Sequence, residues 1–129
     1  MATEIAKFLR KLRIDNDQSL GDMADKIGLS AAYLSAIENK HREVPEDIKE
    51  KLYKAYNLTE EQKFEFARLV AESRQKVVIG LSAIQDKELL PEYVDTAVMF
   101  AHDLSQMNRE QLAEIKDCLQ RIKSEAVPM

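Results

Sequence analysis

From residue 3 to about residue 74 the apolar positions recur with a helical period, and polar or glycine punctuation separates one run from the next. Ile5, Phe8, Leu9 and Leu12 keep the i, i+3, i+4, i+7 spacing of one helix face. They predict a first helix from about Thr3 to Ile14, ended by Asp15-Asn16-Asp17. Ser19, with Asp22 three residues on, reads as a capped start for a short second helix striped by Leu20, Met23, Ala24 and Ile27. Gly28 follows, where a helix end wants a left-handed residue. Ser30 then caps a third helix: Leu29 and Leu34 have the spacing of a hydrophobic staple, and Leu34 and Ile37 face inward. Pro45 suits the first turn of a fourth helix, with Ile48, Leu52, Ala55 and Tyr56 on its apolar side. Thr59 and Gln62 make a capping box for a fifth. Its inner side is expected to carry Phe64, Ala67 and Val70 or Ala71, broadened by Phe66 and Leu69. Tyr53, Tyr56, Phe64 and Phe66 are all expected in the core.

Beyond residue 75 the pattern changes. Val77-Val78-Ile79 is a β-branched run closed by Gly80, which fits a short strand or an extended linker equally well. Pro91 opens a helix striped by Val94, Val98, Ala101 and Leu104. Asn108 with Gln111 caps a last helix whose Leu112, Ile115, Leu119 and Ile122 are spaced 3, 4, 3, like heptad a and d positions. The short link between the two predicts a helical hairpin. The expected organisation is all-α, with a five-helix domain over 1–75 and a linker or strand plus hairpin over 76–129. Three Gly, three Pro and no Trp agree with it, because strings of β-turns need more punctuation.

Composition narrows the function classes. No apolar run approaches a membrane span, and the stretch Met1–Arg10 has no signal-peptide core. The single cysteine, Cys118, leaves an intramolecular disulfide without a partner. A cytoplasmic location is the reading. No nucleophile, base and orienter assemble into a motif, no Gly-rich phosphate loop is present, and the acids lack metal-ligand spacing. No catalytic residue, metal or cofactor is expected. The net charge of −4 speaks mildly against a polyanionic partner, but its distribution matters more. Residues 1–45 hold seven Lys or Arg against seven Asp or Glu, so the whole acidic excess lies in residues 46–129.

Ser19–Arg42 therefore contains a helix, a tight turn with Gly28 and a second helix. Any two short packed helices need such a turn; the exposed chemistry adds the information. A helix that enters the major groove must be slim there and offer hydrogen bonds. Ala31, Ala32 and Ala36 are small, Tyr33 and Ser35 donate and accept, and Lys40, His41 and Arg42 gather cations just beyond the helix end.

At these residues the chain resembles the lambda-repressor-like (Cro/Xre) helix-turn-helix family. Ala24 in the second helix, Gly28 in the turn, Ser30 as cap and Ile37-Glu38 near the end of the third helix match its pattern in order. The resemblance covers roughly residues 3–70 and implies a five-helix DNA-binding domain. It carries DNA contact onto Ser30, Ala31, Ala32, Tyr33, Ser35 and Ala36, and phosphate contact onto Asn39, Lys40, His41 and Arg42. It implies a structural pair between Arg13 and Glu38. One position departs: the family commonly has Gly after the Glu-Asn pair, and this chain has Lys40. Asn39 is then expected to take the left-handed conformation, or the loop to differ by a residue.

The resulting expectation is a sequence-specific, double-stranded-DNA-binding regulator, a dimeric repressor of the phage-repressor or antitoxin type. It would read an inverted repeat and associate through Leu112, Ile115, Leu119 and Ile122. The competing expectation is a protein-interaction module, or a toxin-neutralising antitoxin, in which the C-terminal part binds a partner protein.

Overall fold

In the computed structural model, which describes residues 3–125, seven helices and no strand are present among the described residues. The ends of the two expected domains, residues 1–2 and 126–129, lie outside them. The chain divides into two compact units, one up to Val77 and one from Val78 onward.

The first unit holds α1 (Glu4–Asp15), α2 (Leu20–Ile27), α3 (Ala31–Glu38), α4 (Glu46–Ala55) and α5 (Glu60–Arg74). Local chemistry sets the starts. The Thr3, Ser19, Ser30 and Thr59 side chains each accept a backbone N–H three residues on, and Ser19–Asp22 and Thr59–Gln62 close reciprocal capping boxes. Pro45 caps α4 without a side-chain bond, so it precedes the first turn rather than lying in it. Gly28 ends α2 at φ 76°, the left-handed conformation expected of it.

The apolar stripes of these helices meet in one core. Met23, Ile27, Leu34, Leu52, Phe66 and Val70 are its most deeply buried large side chains. Phe66 packs between Phe8, with ring centroids 5.2 Å apart, and the edge of Tyr53, 6.3 Å away. This corrects the expected phase of α5. Phe66, Leu69 and Val70 point inward, whereas Phe64 is 73% exposed. Residues two apart on a helix lie about 200° apart, so only one of the two phenylalanines can face α1. The aromatic pocket beside Phe8 selects Phe66. Tyr53 and Tyr56 are half-buried rather than core residues. The Tyr53 hydroxyl donates to the Lys63 carbonyl, and the Tyr56 hydroxyl donates to Gln18.

The second unit holds α6 (Leu90–Leu104) and α7 (Arg109–Glu125). Asn108 and Gln111 exchange bonds of 3.0 and 2.9 Å at the start of α7. The helices fold back on each other. Asp103 and Ile115 share a recess near the turn, and Tyr93 and Leu119 share another farther along. Neither helix buries a single side chain. Residues 76–80 form no strand, so the linker alternative holds. A strand needs a neighbouring ladder to satisfy its N–H and C=O groups, and none adjoins these residues.

Candidate functional site

The best-built feature of the first unit is α3 with the loop that leaves it. Leu34 and Ile37 are buried at 1% and 3% exposure, which anchors one side of the helix. Ala31 and Ala32 are exposed, and Tyr33, Ser35 and Ala36 are half-buried. The outward side is therefore narrow, with methyl groups, one hydroxyl and one phenol. The Ser35 hydroxyl accepts from the Asn39 side-chain amide at 3.4 Å. The start of α3 is also open: Ser30 is exposed, and its cap satisfies the Tyr33 N–H. The Ala31 and Ala32 N–H groups have no recorded acceptor among the described residues. A helix end with free N–H groups carries partial positive charge and favours an anion.

The only charged residue on α3 is Glu38, and it is withdrawn from the surface. Its carboxylate accepts from Arg13 Nη1 at 2.6 Å and Nη2 at 3.3 Å, and Arg10 Nε lies 3.8 Å away. Arg13 and Glu38 side chains are only 9% and 5% exposed. The expected structural pair is present. Its effect is twofold: it ties α1 to α3, and it removes the one acidic charge that would repel a polyanion from this helix. The Thr3 hydroxyl adds a second tie by donating to the Glu38 carbonyl at 2.7 Å.

The exit loop shows how the family's missing glycine is handled. The left-handed residue is Lys40 itself, at φ 62°, while Asn39 sits at φ −96°. This overturns the expectation that Asn39 would take that conformation. The Lys40 N–H donates to the Ile37 carbonyl at 3.2 Å, and the His41 N–H donates to the Ala36 carbonyl at 2.8 Å. Those two bonds are the Schellman pattern that closes a helix end. They dictate the left-handed turn whichever residue occupies it. A lysine there costs backbone strain of about 1 kcal/mol that glycine would avoid.

The loop is thus pinned to α3, and its cations project from a fixed base. Lys40, His41 and Arg42 are exposed. Among the described residues none of them is held in an ion pair. The Arg42 guanidinium lies over the Tyr33 ring at 5.4 Å, a cation–π contact that couples the loop to the helix face. Linear reading gave no sign of two further cations near the turn. Lys51, from α4, brings its amine to 3.7 Å from where a side chain on Gly28 would begin, and Lys26 lies over the Tyr56 ring at 4.7 Å. Burial of Tyr56 raises its phenol pKa above the ordinary value, so the hydroxyl stays a donor to Gln18.

The sequence-predicted residues fall into two separate groups. Ser30, Ala31, Ala32, Tyr33, Ser35 and Ala36 lie on α3, and Asn39, Lys40, His41 and Arg42 follow on its exit loop. Leu112, Ile115, Leu119 and Ile122 lie on α7 of the other unit. Among the described residues no cluster of His, Cys, Asp or Glu could hold a metal, and no helix is long and apolar enough to cross a membrane.

A narrow neutral helix with an open positive end, flanked by unpaired cations on a rigid loop, can lie against a phosphate-lined groove. A family model described as "Helix-turn-helix" matches residues 9–63, from within α1 into α5. No curated protein and no solved structure matches the chain.

Proposed function

Starting from a chain whose residues 9–63 belong to the Cro/C1-type, lambda-repressor-like helix-turn-helix family, and which is therefore a DNA-binding transcription regulator, we propose a dimeric repressor that reads an inverted repeat with α3. The observation that carries this reading is the outward side of α3. It is slim, uncharged and exposed at Ala31 and Ala32, with Arg42 stacked on Tyr33 beside it.

In the proposed complex Ala31, Ala32 and Ala36 let the helix sit close to the base edges and offer methyl contact to thymine. Tyr33 and Ser35 supply hydrogen bonds. Lys40, His41 and Arg42 hold the flanking phosphates and set the depth of insertion without reading sequence. Two copies would place two such helices one helical turn apart, about 34–36 Å. Repression follows from occlusion of a promoter. The second unit supplies the self-association, through the stripe of Leu112, Ile115, Leu119 and Ile122. The exposed apolar side of the same unit also favours a second reading, an antitoxin in which this surface holds a toxin protein.

A band-shift titration against the DNA upstream of the protein's own coding sequence, at two salt concentrations, tests the first reading. The expected result is a complex that outcompetes random DNA and weakens steeply with salt. Affinity equal to that for random DNA at both salts overturns it. A chain that is monomeric on DNA and dimerises only with a second protein would favour the antitoxin.

A further inference from the structure

We infer that the groove between α6 and α7 is filled by α7 of a second copy of this chain, and that a row of cations on α7 fixes the pairing against acids on the partner's α6. This inference rests on the two-copy regulator proposed above and specifies how the copies recognise each other.

The groove is a recess of about 580 Å³ formed by Tyr93, Ala97 and Phe100 of α6, Leu119 of α7 and the preceding segment at Ile79 and Leu89, and it is bordered by Glu92. Eleven large apolar side chains from Val78 to Ile122 are 36–62% exposed, and no side chain of either helix is buried. Of these, Ile79, Leu89, Tyr93 and Leu119 line the recess itself, and a helix laid over them removes that apolar surface from water. Two helices without a core of their own need that cover to be stable.

Charge selects the occupant. The helix α6 carries Glu92, Asp95 and Asp103 and no Lys or Arg. On α7, Arg109, Lys116 and Lys123 recur every seven residues, beside Leu112 and Leu119. Seven residues advance about two turns, so the three cations form one row of about 21 Å along the edge of the apolar stripe. Among the described residues none of the three is in an ion pair, nor is Glu92, and Asp103 meets only the neighbouring His102. Glu92 and Asp103 border the two recesses between the helices. They lie eleven residues apart, about 16 Å along α6, within the span of the cation row. Two α6 helices side by side would repel each other, whereas α7 against the partner's α6 satisfies both rows. Flanking charges of this kind set partner choice in helical assemblies.

The test uses two full-length charge-reversed chains. One carries Arg109→Glu, Lys116→Glu and Lys123→Glu, and the other carries Glu92→Lys and Asp103→Lys. Molar mass is followed by light scattering, and helicity by circular dichroism. The parent chain is expected to be a dimer that weakens with salt. The α7-reversed chain is expected to be monomeric alone and to form a 1:1 heterodimer when mixed with the α6-reversed chain, with helicity recovering on mixing. A dimer undisturbed by the α7 reversal, or a mixture that fails to pair, overturns the inference. The DNA reading is judged apart from this, because a monomeric variant should still bind a single half-site in footprinting. Loss of half-site binding would count against α3 instead, and a parent chain that is monomeric would remove both the dimer and this pairing.

Discussion

Glu38→Leu is the substitution on which the first unit's architecture is most exposed to test. Among the described residues it leaves the Arg13 guanidinium, 9% exposed, with only the Met23 sulfur at 3.4 Å as a partner. Stranding one member of a buried ion pair costs about 3–5 kcal/mol. That is a large share of the 5–15 kcal/mol that holds a domain together. The reverse removal, Arg13→Met, costs less, because Arg10 already lies 3.8 Å from the carboxylate on a half-exposed side chain and can follow it. Replacing both residues removes the desolvated charges together, and the Arg13→Met/Glu38→Leu chain should lie within about 1 kcal/mol of the parent. Urea unfolding measures all four chains. A Tyr93→Phe background confines tyrosine fluorescence to Tyr33, Tyr53 and Tyr56 of the first unit. The expected double-mutant coupling is on the order of 3 kcal/mol or more. Single variants that each lose under 1 kcal/mol with no coupling would refute the claim that this pair is desolvated and ties α1 to α3.

The other predictions concern the exit loop and the foot of α4. Lys40→Gly relieves the left-handed strain at φ 62° and should change stability by between zero and about +1 kcal/mol, since glycine's extra unfolded-state freedom offsets part of the gain. The same change should lower the slope of log affinity against log salt by about one, and a destabilised variant would contradict the strain argument. Arg42→Ala should weaken specific and random DNA alike. Tyr33→Ala removes the platform under Arg42 together with the phenol proposed to meet the groove, and should lose more on the operator than on random DNA; equal losses in competition binding would count against that role. At Glu46, Arg74 donates at 2.8 Å and holds the carboxyl below its ordinary value near 4.5. A depressed carboxylate pKa contributes stability above the ordinary value and loses it as pH falls through the folded one. In acid unfolding, Glu46→Gln should therefore lack this increment above pH 4.5 and converge on the parent as pH falls below it. A gap that stays constant over that range would show that the ion pair does not act through titration.

Much of the first unit was legible along the chain. Ser19, Ser30 and Thr59 each act on a backbone group three residues away, and Gly28 acts on its own dihedral, so these boundaries are local chemistry. The same holds for the narrow face of α3, because a helix period assigns Leu34 and Ile37 to one side and leaves Ala31, Ala32 and Ser35 on others. Tertiary structure decided where several residues competed for one place. Phe64 and Phe66 are equally apolar, and only the position of Phe8 and Tyr53 chose between them. Lys40 adopts a conformation its own side chain disfavours because two hydrogen bonds back to Ile37 and Ala36 require it. Lys51 reaches the Gly28 turn from a helix two dozen residues away. In the second unit sequence periodicity placed the helices, but the side of α6 that borders the groove carries Tyr93, Ala97 and Phe100 rather than the expected Val94 and Val98, and the pattern did not say what covers it. An apolar stripe states only that something must exclude water from it, and which surface does so depends on chains and distances that a linear pattern does not contain.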